Sequence, residues 1–420
     1  MKTLTAAIQF GSSRISAAAV WIDKSGHHEV ASIECTSTEG CIRHGCVVNN
    51  EETAARIKSL LKKLSNRVKA NGAGDIDAAY CGICGMSMQS REHHPSVLLD
   101  EDLRIGQEVK SQLEQQSWEL QLTGKDILGV CSNGEHISEQ LAVGDHQLIV
   151  AESRLAQGIR NAMERAKVRV VKILPTPLLV GDILTDEEKA NGTLLLDMGA
   201  QLTTISIYDK GGLQFLRVLP LGCESVTRDI ATMGLRSDDA ENVKKNWGDA
   251  SRPDTGSETM PHLDINLPLS ELNIIVSSRL EELAMNIDLQ IARANYKGRL
   301  SSCVLTGGGS MQKGLTSLLS KQLNISKIST RGCNNIRFMS SERKPHLTSL
   351  MSMLSYCTES CEAKPVEKTE GESGALANGT NKSKETAKTD SAQEVNLPNN
   401  SEKKGGFVSS FFNDLFAGVD

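Results

Sequence analysis

Apolar and polar residues along the chain alternate between two periods. Runs rich in aliphatic and β-branched residues predict strands over residues 15–22, 148–150, 193–197, 203–208 and 302–306. Between them, apolar residues return every three or four positions, which predicts helices over 52–68, 101–115, 155–166, 269–294 and 311–322. In the fourth of these helices Ile275, Val276, Leu280, Leu283, Ile287 and Ile291 form one stripe, the pattern of a long helix laid on a core. Strands that alternate with helices in this way predict sheets covered by helices, an α/β body ending near Cys357.

The pattern then stops. Residues 358–406 hold no aromatic side chain and are dominated by Glu, Lys, Ser, Thr, Asn, Gly and Ala. Such a segment buries too little to offset the entropy of ordering it, so a disordered linker is expected over 358–404. Beyond it the composition reverses: four of the chain's seven Phe lie in the last fourteen residues. Stepped at about 100° per residue, Phe407, Val408, Phe411, Phe412, Leu415 and Phe416 share one half of a helix, and Ser409, Ser410, Asn413 and Asp414 the other. Lys403 and Lys404 stand just before it. An amphipathic helix over 405–420 at the end of a tether is expected to lie in a lipid interface, weakly alone and firmly when many copies bind together. Docking on the body or in a partner's groove is the alternative.

Charge and cysteine content narrow the picture. Lys+Arg 46 against Asp+Glu 52 gives −6, without the basic surplus of a general nucleic-acid binder. No apolar run approaches the ~20 residues of a membrane span, and the N-terminal apolar stretch is too short for a signal peptide, so a cytoplasmic body is expected. Eleven Cys without framework spacing argue against a disulfide scaffold. Cys81 and Cys84 read as the end of a strand entering a turn, and Cys357 and Cys361 likewise read as structural. The histidines, including the pairs His27-His28 and His93-His94, lack ligand spacing, so no metal site is expected among them.

Candidate chemistry sits in three glycine turns. The first is Gly11-Ser12-Ser13-Arg14 between two strand-like runs; the second is Gly199-Ala200-Gln201 between Asp197 and Thr203-Thr204; the third is Gly307-Gly308-Gly309, expected to open a helix. Glycine lets backbone approach a ligand closely, and turn amides with hydroxyls cradle phosphate, aided by a helix N-terminus. One such turn is a weak signal, while three in this order and spacing are more specific.

Together these segments resemble the actin-like ATPase superfamily and, within it, the FtsA family of bacterial cell-division proteins. The first turn is similar to the family's GLDIGTTKI, the second to DIGGGTTDI and the third to LTGGGA. Residues 41–49 (CIRHGCVVN) resemble GIRKGVIVD, residues 80–85 (YCGICG) resemble YVGISG, and the segment from Pro220 to Ala231 resembles PVGGxxVTxDIA. Ala240, Glu241 and Lys244 match AExxK, which faces the nucleoside in the family, and residues 345–356 resemble its closing helix. The resemblance spans about 1–357 and the terminal helix.

It implies an actin-like (ribonuclease H-like) two-lobed fold with lobe 1 over 1–82, an inserted subdomain over 83–166, lobe 2 over 167–335 and a closing helix over 336–357. It implies a nucleotide site, with ATP held by Gly11, Ser12, Ser13, Arg14, Gly199, Thr203, Gly222, Glu241, Lys244, Gly307, Gly308 and Gly309. Implied partners are FtsZ, met by a subdomain at about 237–300, further copies of the chain in actin-like filaments, other divisome proteins, and lipid on the inner face of the membrane. Arg279, Glu281 and Glu282 are candidate FtsZ contacts, with a solvated helix face as the alternative.

The departures concern charge. At the family's acid positions stand Gln9, Thr176 and Thr204, and only Asp197 remains. Neutral amides and hydroxyls neither balance Mg2+ nor accept a proton near neutral pH. Ala200 and Gln201 replace two glycines, and the insert motif DPxGMxG has no counterpart in the loop expected at 120–140. A kept nucleoside pocket with weak ATP binding, little use for Mg2+ and slow or absent hydrolysis follows. An active ATPase or phosphotransferase of the same fold, and a PilM-like pilus-assembly scaffold, are the alternatives.

Overall fold

The computed structural model describes residues 2–70, 72, 74–99, 104–252, 268–333 and 345–363. Lys403, Lys404 and the apolar face from Phe407 to Phe416 lie outside the described residues, as does the expected linker beyond 363. The chain opens with the meander β1 (Thr3–Phe10), β2 (Arg14–Ile22) and β3 (His28–Ser37), then the small ladder β4 (Ile42–Arg43) and β5 (Cys46–Val47). Helix α1 (Asn50–Lys69), β6 (Ala78–Ile83), β7 (Gln89–His93), β8 (Ser96–Leu98) and α2 (Gln107–Glu119) lead to the hairpin β9 (Lys125–Ser138) and β10 (Leu141–Glu152). Next come α3 (Ser153–Ala166), β11 (Arg169–Pro175), and the short helices α4 (Thr176–Leu179) and α5 (Asp186–Ala190). The second half runs β12 (Thr193–Met198), β13 (Thr203–Asp209), β14 (Gly212–Leu219), α6 (Glu224–Ala231), α7 (Ser237–Trp247) and α8 (Leu269–Arg293). It ends with β15 (Ser302–Thr306), α9 (Leu315–Leu323), β16 (Ile328–Thr330) and α10 (Thr348–Leu354).

Two sheets carry the fold. The first has five strands in the order β11-β6-β1-β2-β3, with β6 parallel to both β1 and β11. The second has nine strands, ordered β16-β15-β12-β13-β14-β7-β10-β8, with β9 paired to β10. One core joins the first sheet and the inner face of the second; the other lies between the outer face of the second sheet and helices α6 to α9. Local signals agree with the packing. Asn49 caps α1 by accepting from Glu52 N, Glu51 and Glu52 sit in its first turn and Arg67 and Lys69 in its last, and Ile57, Leu60, Leu64 and Val68 form its buried stripe. Helix α8 buries Val276, Leu280, Leu283, Ile287 and Ile291 as their spacing predicts.

Several expectations need correction. The helix expected at 101–115 lies at Gln107–Glu119, after Gly106. The helix expected at 311–322 begins only at Leu315, because Gly314 turns the chain at φ 77 to clear Ser251 and Asp249. The third glycine turn therefore opens a 3-10 turn, Gly308–Met311, and not an α-helix. The loop expected at 120–140 is largely β9, a strand stabilised by pairing along β10 despite its Gly, Ser and Asn. Strand β7 of the expected insert pairs with β14 at Gln89 and Arg217, which joins the insert's strands to the second sheet. Helix α3 packs on α1, and β11 edges the first sheet. The ordered body also runs past Cys357: Cys361 N donates to Leu4 O at 2.9 Å and Ala363 N to Asp75 O at 2.7 Å.

The tip joining β4 and β5 is His44-Gly45, with φ of 46° and 80°. Two left-handed residues make the hairpin turn whose twist matches its strands. Gly45 sits so close to the chain ahead of it that a Cβ there would overlap Cys84 O. Gly45→Ala is therefore expected to cost about 2–4 kcal/mol, from forced φ and overpacking together, read as a lower urea midpoint.

Candidate functional site

The first two turns are built alike. Gly11 N donates to Arg14 O at 3.1 Å, and Gly199 N donates to Leu202 O at 2.8 Å, each closing a hairpin. In both, the acid position lies two residues before the glycine and pairs across the hairpin, Gln9 with Ser16 and Asp197 with Thr204. The third turn reaches the second because β12 and β15 run parallel with Asp197 opposite Thr306. The approach is tight: a Cβ on Gly307 would overlap Asp197 Oδ1, one on Gly309 would overlap Cys223 Sγ, and one on Gly222 would overlap Ala200 O. Gly199, Gly222, Gly307 and Gly309 thus share one corner. Gly308 differs, with only His346 Cβ 3.7 Å from where its Cβ would lie.

The first turn joins this corner through the β4–β5 tip. Gly45 N donates to Ser12 Oγ at 3.2 Å, and His44 N donates to Gln201 Oε1 at 2.8 Å. Thr38 holds the same turn, its hydroxyl donating to Ser12 O at 2.6 Å and its amide to Ser13 O at 3.1 Å. Arg14 contributes its carbonyl to the closing hydrogen bond of the turn.

The acid positions are occupied in other ways. Ser349 Oγ on α10 donates to Asp197 Oδ2 at 2.9 Å. Burial pushes the Asp197 carboxyl above the ordinary aspartate range, and the Ser349 hydrogen bond opposes this only in part. The buried Thr176 hydroxyl donates to Ile83 O at 3.1 Å. Thr204, also buried, lies 3.6 Å from Cys84 Sγ through its hydroxyl. Thr203 projects from the opposite face of the same strand, and its buried Oγ1 makes no hydrogen bond among the described residues. Mg2+ binds through hard, largely anionic oxygen donors. One recessed carboxylate already bonded to a serine, beside three neutral side chains, does not fit that ion. Among the described residues no three His, Cys, Asp or Glu side chains converge to hold a metal.

Glu241 and Lys244 form a different cluster. The Lys244 ammonium is buried and donates to Cys223 O at 3.1 Å, Thr227 Oγ1 at 2.7 Å and Glu241 Oε2 at 2.6 Å. Its three hydrogens are thereby taken, and the group fastens α7 to α6. Burial raises the Glu241 carboxyl, but hydrogen bonds from Lys244 and Thr227 outweigh it and hold the group at about 2.

Cys81 lies in β6 and Cys84 just after it, and burial pushes both thiols up to about 12, unfit for nucleophilic work. His44, Gly45 and Ser349 belong to the site although the glycine motifs do not name them. A His-Gly pair between two short apolar runs is readable as a two-residue hairpin; nothing local announces Ser349.

Comparison with known proteins identifies the family and the fold. A profile of the family described as Cell division protein FtsA matches residues 194–352. Cell division protein FtsA of Porphyromonas gingivalis is 30% identical over 337 residues, covering 74% of this chain and 68% of that protein. FtsA of Borreliella burgdorferi is 25% identical over 351 residues, covering 77% and 83%. Among solved structures, the PilM-PilN type IV pilus biogenesis complex superposes with a TM-score of 0.62 at 16% identity, over 83% of this chain and 97% of that one, a likeness of fold.

The Glu241 pair has a testable pH signature. Its folded value lies below the ordinary 4.5, so its stabilisation is present above that value and is lost as pH falls toward about 2. Glu241→Gln is expected to be less stable than the native chain at neutral pH. That difference should shrink steadily in urea titrations below the ordinary glutamate range.

Proposed function

The chain belongs to the FtsA family of cell-division proteins, with an actin-like fold, and from that premise we propose that it is a membrane-bound adaptor for FtsZ filaments that holds a nucleotide it scarcely hydrolyses. The observation that carries the second half is the state of the acid positions. Hydrolysis of a phosphoanhydride depends on an oriented attacking water and on groups that balance the charge of the transferring phosphoryl. The Thr176 hydroxyl is engaged with Ile83 O, Thr204 faces Cys84, Gln9 is neutral and Asp197 is engaged by Ser349. Hydroxyls and amides do not take a proton near neutral pH. The residues that remain bind and position. The backbone of Gly307, Gly308 and Gly309 offers a side-chain-free surface to a nucleoside, and the first two turns offer amides and the Ser12 hydroxyl to its phosphates. Mg2+ is given no role in this reading, since Asp197 is the one acid left at the four positions and Ser349 already engages it.

The adaptor half rests on two amphipathic elements. The outward face of α8 exposes Ile274, Met285 and Leu289 beside Glu281, an apolar stripe suited to a protein partner such as FtsZ. Arg279 is less available than expected, because it pairs with Asp229 and with Glu282. No helix among the described residues is long and apolar enough to cross a membrane. Attachment to the inner face then falls to the terminal face of Phe407, Val408, Phe411, Phe412, Leu415 and Phe416. Self-association multiplies weak single anchors into firm ones and places the assembly, with other divisome proteins, at the division site.

Deleting residues 407–420 is expected to move the protein from the vesicle pellet to the supernatant in a liposome sedimentation assay; unchanged pelleting rejects the anchor. Purified full-length protein is expected to release phosphate from ATP at close to the uncatalysed background. Robust Mg2+-dependent turnover overturns the reading of the acid positions.

A further inference from the structure

The first and second glycine turns are joined by a bridge made of protein. Gln201 Oε1 accepts from His44 N at 2.8 Å, Gln201 O lies 3.4 Å from His44 Nδ1, and Gly45 N donates to Ser12 Oγ at 3.2 Å. The tip carrying these amides is held from behind. Met86 N donates to His44 O at 3.2 Å, and Gly45 sits hard against Cys84 and Gly85. The tip therefore has little room to withdraw, and the part able to move away is the Gln201 side chain.

A phosphate lodged between two such turns takes up amide hydrogens and hydroxyls. Here the two turns are already linked through the amides of the tip between them. The His44 amide hydrogen is accepted by a side-chain oxygen of the second turn, and the Gly45 amide by the hydroxyl of the first. Gln201 Oε1 accepts a hydrogen bond as a phosphate oxygen does. It carries no charge and is tethered to the chain, so it needs no loss of translational freedom to stay in place.

Granting the nucleotide-binding reading above, we propose that Gln201 stands in for a terminal phosphate: it links the two turns when no triphosphate is present, and the site accordingly prefers a nucleoside diphosphate to the triphosphate. A diphosphate held by the third and first turns would leave the bridge intact. The last phosphate of a triphosphate, if it lodged between the first two turns, would have to break the Gln201–His44 hydrogen bond and displace the side chain. Glycine at 201 removes both obstacles.

The test uses the full chain, with ADP and ATP titrated by calorimetry and amide hydrogen exchange followed without nucleotide. The native protein is expected to bind ADP about tenfold or more tightly than ATP, and Gln201→Gly to close most of that gap by strengthening ATP. Exchange at the His44 amide should accelerate by about five- to tenfold in Gln201→Gly, the equivalent of one net hydrogen bond lost. Gln201→Met keeps the length without the acceptor, so it should speed His44 exchange equally while ATP stays weak. Equal affinity of the native chain for ADP and ATP overturns the stand-in while leaving nucleotide binding intact. Unchanged His44 exchange in both variants overturns the bridge. Binding of neither nucleotide to any form overturns the nucleotide reading and the diphosphate preference together, and faster His44 exchange then supports the bridge alone.

Discussion

The parallel pairing of β12 with β15, Asp197 opposite Thr306, sets the position of everything else in the cleft. Two strands leaving the sheet at the same level deliver the second and third turns to one corner. At that spacing side chains are excluded, which is why Gly307, Gly309 and Gly222 are required by neighbouring atoms before any ligand is considered. The first sheet presents its own turn to the same corner through the His44-Gly45 tip. The cleft is thus assembled from backbone, and its shape does not depend on the side chains that would do chemistry there.

That division explains how the architecture persists with an acid at only one of the four positions, Asp197. Replacing an acid by Thr or Gln at a strand end leaves the ladder bonds of β1 with β2 and of β12 with β13 untouched. The vacated interactions have been taken up locally: a threonine hydroxyl finds a carbonyl, another meets a thiol, and a serine from α10 caps the surviving aspartate. Each partner lowers the cost of a buried polar group. Stability at these positions is thus supplied by hydrogen bonds within the chain.

Much of this was legible in the sequence, for identifiable reasons. The strands at 193–197 and 203–208 showed as short runs of aliphatic and β-branched residues, being buried on both faces, and the helix α8 showed because its burial is one-sided and periodic. The glycine turns and the missing acids were readable residue by residue. β9 was hidden because Gly129, Gly134 and several polar residues erase the alternation, and its partner strand supplies the order. The start of α9 was misplaced because the break at Gly314 answers to residues 249–251, far earlier in the chain. The Gln201–His44 and Asp197–Ser349 contacts join residues 157 and 152 positions apart, and no local pattern encodes such a meeting.

Gly308 separates the structural demands of the corner from the functional ones. Its neighbours on both sides are glycine because nearby atoms leave no room for a Cβ. Among the described residues Gly308 has one ordinary contact where its Cβ would lie, to His346, and no left-handed φ to relieve. Packing does not ask for glycine there, and glycine carries an entropic cost that alanine would avoid. The polar bridge of the corner, by contrast, is held from both sides, Gly45 N on Ser12 Oγ and His44 N on Gln201 Oε1. Under the nucleotide reading proposed above, Gly308 is therefore the position where a ligand contact, and not packing, would account for glycine.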